Sequence, residues 1–190
     1  MHTEALTGGF GDAPVDAARA FRGAMNAMAR PGRIEDLAGA VPPAPLSVAA
    51  GVLVLTLCDA ETPVYLAGDF DAPAVREWIT FHTGAPFAGP GPEGAMFALG
   101  TWEALGPLEA YPVGTPEYPD RSTTLIVEMS ELVAEGAVLR GPGIRETARL
   151  SLPEVAAFQR NASAFPLGLD FFFTCGDRVA ALPRTTKVEG

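Results

Sequence analysis

Between Asp12 and Gly32, "DAPVDAARAFRGAMNAMARPG", apolar positions recur at helical spacing: Phe21, Met25 and Met28 fall at i, i+4 and i+7, with Arg19, Arg22, Asn26 and Arg30 on the other side. The spacing predicts an amphipathic helix with Phe21, Met25 and Met28 against the core and a solvated arginine stripe, stopped at Pro31-Gly32. After Pro42, Pro43 and Pro45, "LSVAAGVLVLTL" is apolar on every side, and its length favours a buried helix. "PVYLAG" predicts a short strand. "APAVREWITFHTGAP" predicts a helix with Asp71 as N-cap, Val75, Trp78, Ile79 and His82 on one face, and Gly84 with Pro86 as its stop.

Downstream the pattern shifts toward strands. "GPGPEGAMFALGTW" supplies a Gly/Pro loop and a strand around Met96–Gly100. In "GTPEYPDRSTTLIVEM" a proline-punctuated loop leads into a β-branched strand. "AVLRGPGIRETARLSL" predicts two strands about a Gly-Pro-Gly turn, and Ser151 with Glu154 a capping box for a helix carrying Val155 and Phe158. "LGLDFFFTCGDRVAAL" predicts a hairpin about Gly176-Asp177. Helices and strands interleaved in this way predict an α/β fold, a mixed sheet covered by helices, with residues 1–190 as a single domain.

Composition narrows the function classes. A formal net charge of −10 excludes a surface built to neutralise nucleic acid, whose affinity comes from Lys and Arg. The longest apolar run, Val48 to Leu57, is short of the ~20 residues of a spanning helix, and the N-terminus shows no secretory pattern. A cytoplasmic protein away from membranes is expected. Cys58 and Cys175 each end an apolar run, the setting of buried free thiols.

Catalytic constellations are sparse. His2 and His82 are the only histidines, and no Cys/His spacing supplies zinc ligands. A Schiff base needs a desolvated lysine, and Lys187, the sole lysine, lies near the chain end. "GPGIRE" has Glu146 where a dinucleotide fingerprint needs its third glycine. Asp59 with Glu61, and Asp69 with Asp71, are carboxylate pairs that turns and caps already explain. Two strand-end segments remain: "PDRSTT", with Asp120, Arg121, Ser122 and Thr123, and "LPRTT", whose Arg184, Thr185 and Thr186 suit an oxyanion. His82 is a further candidate for phosphate contact or proton transfer.

Several segments together resemble the PhnH family, a subunit of the bacterial carbon–phosphorus lyase core complex. They are "AFRGAMNAMARPGRI", "LTLCDAETPVYL", "FHTGAP", "GTPEYPDRSTTLI", "GPGI" and "FPLGLDFFFTCGDRVAALPRTT", and they cover essentially the whole chain. The resemblance implies a fold like a truncated pyridoxal-phosphate-dependent transferase large domain, without its cofactor. It implies a homodimer that assembles with PhnG, PhnI and PhnJ to transfer a phosphonate to the ribose C1 of ATP with release of adenine. Arg121 and Ser122 depart from the family pattern, so the resemblance gives Arg121 no role. The expectation is an assembly subunit, inactive alone and using no cofactor or metal. The alternative is direct binding of phosphonate or ATP by Arg184, Thr185, Thr186 and His82.

Overall fold

The computed structural model describes residues 6–190. Six strands, β1 (Glu35–Asp36), β2 (Val64–Leu66), β3 (Phe97–Thr101), β4 (Thr124–Glu128), β7 (Asp170–Cys175) and β8 (Arg178–Leu182), form the central sheet in the order β1-β8-β7-β4-β3-β2. β2, β3, β4 and β7 run parallel, with Leu66 opposite Leu99, Leu99 opposite Ile126, and Ile126 opposite Phe172. β8 and β1 close one side antiparallel. A second sheet, β6-β5-β9, joins β5 (Ala137–Arg140), β6 (Ala148–Leu150) and β9 (Lys187–Glu189). The fold is α/β with a mixed sheet and helices on both faces.

Strand geometry sends alternate side chains to opposite faces, so a parallel sheet buried on both sides needs apolar residues at nearly every position. Leu99, Ile126 and Phe172 face α1 (Ala13–Ala29), α2 (Val48–Leu57) and α3 (Pro73–Thr83). Leu125, Val127, Phe171 and Phe173 face the other way, toward α4 (Trp102–Leu105), α5 (Val155–Ser163) and the second sheet. There Phe158 makes edge contacts with Phe171 and Phe173, at 5.0 and 5.6 Å between ring centroids. Burying each such ring contributes about 1.5–3 kcal/mol.

The predicted elements occur in the expected order, but β1, α4 and β9 lie where the sequence reading named none. Cys175 is not fully buried as expected, and three further details differ. In α1 the buried residues are Ala20, Ala24 and Ala27, while Phe21 and Met25 stand about half exposed and Met28 is only partly buried. The alanine stripe wins because α1 packs closely on α2 and over Leu37, whose Cδ2 would lie 2.7 Å from a Cβ at Gly23. Asp71 does not cap α3: Ala72 holds the cap position without a side-chain bond, and Asp71 instead pairs with Arg76. Ser151 does not cap α5 either, because its hydroxyl accepts from the Val133 N–H at 3.0 Å and ties the second sheet to the 130s loop.

"GPGI" is a packing turn. A Cβ on Gly143, at φ +80°, would sit 1.9 Å from the Ala29 carbonyl oxygen, so only glycine lets this turn meet the end of α1. Cys58 is buried, and burial pushes its thiol up to about 12; Cys175 is half-buried, its thiol facing the Ser130 carbonyl at 3.6 Å. No described helix is long and apolar enough to cross a membrane.

Candidate functional site

Arg184 follows β8, at the amino ends of the parallel strands, because β8 runs antiparallel to β7 and places Leu182 opposite Phe171. Its guanidinium meets Asp170, the first residue of β7, through Nε at 3.2 Å to each carboxylate oxygen and through Nη2. Nη2 also donates to the Ser122 hydroxyl, and Nη1 to the Pro119 carbonyl at 2.7 Å. The Arg184 backbone N–H adds a 2.8 Å bond to the same carboxylate. Four of the five guanidinium protons are thereby aimed at the protein itself, and the side chain is 11% exposed. Three segments distant in sequence are fastened by one planar cation, which suits the rigid fork of arginine.

This geometry also explains "PDRSTT". Pro119 and Ser122 receive Arg184, and the buried Thr123 hydroxyl donates to the Ala95 carbonyl at 2.7 Å. Arg121 is exposed, its guanidinium 4.1 Å from the Tyr118 ring centroid. Of the "LPRTT" hydroxyls, Thr186 is 1% exposed and its Oγ1 has no hydrogen-bond partner. Thr185 is half-buried, its carbonyl oxygen 3.1 Å from where a Cβ on Gly141 would stand.

His82 belongs to a different neighbourhood. Nε2 lies 3.2 Å from the Thr7 carbonyl, an acceptor only, so this nitrogen carries the proton. Its ring packs between Trp78 and Phe81 at 5.1 and 4.9 Å, and Trp78 donates to the same carbonyl. No interaction joins His82 to Arg184, Thr185 or Thr186, so the four candidates form no common site. His2 lies outside the described residues.

Open α/β sheets take ligands at the carboxyl ends of their strands. There, Glu128 ends β4 and accepts from the Thr174 hydroxyl at 2.8 Å. Ser47, the N-cap of α2, also supplies its hydroxyl and backbone N–H. Burial nevertheless pushes the Glu128 carboxyl above its ordinary range, since the Ser47 and Thr174 bonds offset only part of the desolvation. A carboxylate of the chain thus occupies the position before a helix where an external anion would sit. Beside it, a groove of about 420 Å³ beyond β2 and β3 carries Asp69 and Glu103 as its charged lining, unsuited to phosphate or phosphonate. Among the described residues no group of three or more His, Cys, Asp or Glu could hold a metal ion.

Residues 8–189 match the family model described as bacterial phosphonate metabolism protein (PhnH). The chain belongs to the PhnH family. It is 40% identical, over 98% of its length and 97% of the relative's, to alpha-D-ribose 1-methylphosphonate 5-triphosphate synthase subunit PhnH of Rhizobium meliloti (strain 1021). It is 32% identical to "Putative C-P lyase subunit protein HtxG" of Stutzerimonas stutzeri, over 89% of this chain and 84% of that one. The family segments seen in the sequence thus include packing devices: "ARPG" meets "GPGI", and the arginine of "LPRTT" fastens the loop of "PDRSTT". Sequence reasoning passed over Asp170 and Glu128. Counting back from the Gly176-Asp177 turn places Asp170 across from residue 183, a signal for the first. The second depends on Ser47 and Thr174, from separate elements.

Proposed function

We propose that the chain is an assembly subunit of a carbon–phosphorus lyase core complex. In this reading it supports the step that transfers a phosphonate to the ribose C1 of ATP and releases adenine. It is a cytoplasmic homodimer, one PhnH-like domain over residues 1–190, that joins PhnG, PhnI and PhnJ. The name of the Rhizobium relative, a synthase subunit, supports the step, and the HtxG name supports the complex.

The observation that carries this reading is internal consumption of the charged groups. Arg184 is held by Asp170, Ser122 and Pro119, and the carboxyl-end crevice is acidic, so neither offers an open cradle for an anion. Direct binding of ATP or phosphonate through Arg184, Thr185, Thr186 and His82 finds less support, because these groups do not converge. In this reading the fold is like a pyridoxal-phosphate transferase large domain that uses no cofactor. The sole lysine, Lys187, is exposed on β9 in the second sheet, away from the desolvated pocket a Schiff base needs.

What the fold does offer is surface. Phe21 and Met25 form an apolar stripe on α1, 48% and 52% exposed, suited to subunit contact. The test is co-expression with PhnG, PhnI and PhnJ, scoring co-purification and adenine release from ATP with methylphosphonate. The expected result is a stable assembly whose rate falls when this chain is omitted. Full activity without it, or adenine release by this chain alone, overturns the reading.

A further inference from the structure

On the face of the sheet opposite α1, a cleft of about 160 Å³ opens between residues 108–113, α5 and the turn before β7. Its walls are Leu108, Val113, Ala157, Ala164 and Leu169. The walls are fixed by hydrogen bonds: the Asn161 side chain both donates to the Leu169 carbonyl and accepts from its N–H, each at 2.8 Å. The Gly168 N–H reaches the Val113 carbonyl at 3.1 Å. A site held open in this way needs little ordering when it is filled.

Its size and rim say what fills it. Small-molecule sites run to about 300–1,000 Å³, so this cleft suits one aliphatic or aromatic side chain rather than a nucleotide. Val113, in the lining, and Phe165, the residue after Ala164, add exposed apolar surface, at 38% and 59%. Of the two charged lining residues, Arg160 is taken by Glu154 at 3.3 Å. The other, the exposed Glu109, has no ion-pair partner among the described residues. The apolar cleft therefore keeps one unpaired carboxylate at its edge.

We propose that this cleft docks a sister subunit through a segment with a Leu, Ile, Met or Phe anchor and an Arg or Lys beside it. This deepens, and rests on, the assembly reading. A second copy of this chain does not fit as well. Its α1 carries suitable chemistry in Phe21, Met25, Arg19 and Arg22, yet α1 and the cleft lie on opposite faces of the sheet. Copy-to-copy docking would be head-to-tail and build a chain or ring rather than a closed pair.

The experiment titrates the assembled sister subunits with wild-type chain, Ala164→Arg, Glu109→Arg and Glu109→Gln. Both substituted sites are exposed, and unfolding curves of the isolated variants check that each folds like wild type. Filling the cleft with Ala164→Arg should weaken binding roughly tenfold or more, an anchor-sized loss. Glu109→Arg should weaken it more than Glu109→Gln, with the difference shrinking at high salt. Wild-type affinity in Ala164→Arg and Glu109→Arg overturns the cleft while leaving assembly intact. Failure of the wild-type chain itself to bind overturns both.

Discussion

At the amino ends of the parallel strands, a cation is fixed by an anion: Arg184 faces Asp170, with Ser122 and Pro119 completing its bonds. At the carboxyl ends, Glu128 is held by the Thr174 and Ser47 hydroxyls and the Ser47 backbone N–H, against the cost of burial. The first arrangement is a charge-neutral clamp whose two halves depend on each other. The second leaves a carboxyl in a partly dry place where its neutral form is favoured. Both edges use their polar groups to hold the sheet's loops, but they should fail differently. Loss of one clamp member strands its partner; loss of the lone carboxyl relieves a penalty.

Arg184→Met gives the largest expected effect. Removing one member of a buried pair costs about 3–5 kcal/mol, and partial exposure of Asp170 reduces this to about 2–4 kcal/mol. Denaturant unfolding measures it, and a loss below about 1 kcal/mol would break the contrast between the edges. Adding Asp170→Leu should recover part of the loss, since the stranded carboxylate is then gone. A defect in Arg184→Ala is therefore no evidence of ligand contact unless folding is measured beside it.

Thr174→Val comes next. It removes the hydroxyl donor to Glu128 at a fully buried position, an expected cost of about 1–2 kcal/mol. Ser47→Ala removes both the cap bond to the Ala50 N–H, 3.2 Å long, and a donor to Glu128. About 1 kcal/mol is expected. If either variant were as damaging as Arg184→Met, the carboxyl-end arrangement would rank with the clamp.

Glu128→Gln is the smallest and the most discriminating in pH. The folded chain holds the Glu128 proton to higher pH than the unfolded chain does. This group's contribution is therefore most favourable below the ordinary carboxylate range and declines as pH rises through the interval up to its raised value. Thermal unfolding across that interval should show a shallower decline in Glu128→Gln. A decline as steep as wild type's would mean that other groups cause it.

Much of the fold was legible because local signals agreed with tertiary demands. The length and uniform apolarity of 46–57 specified α2, and Gly176-Asp177 between two apolar runs specified the β7–β8 hairpin. The facing of α1 was harder, for Ala20, Ala24 and Ala27 repeat at i, i+4 and i+7 as Phe21, Met25 and Met28 do. Only the close approach to α2 selects the smaller set, leaving two large apolar residues outside. Arg184 was visible as a residue type at a strand end, but its role was set by Asp170, Ser122 and Pro119, brought in from two other segments.

The most direct test is equilibrium dialysis of the isolated chain against labelled ATP and, separately, labelled methylphosphonate. With Arg184 consumed by the fold and the opposite crevice acidic, no saturable uptake is expected over about 1 μM–1 mM, where enzyme sites commonly fill. Stoichiometric uptake in that range by correctly folded protein would contradict the account.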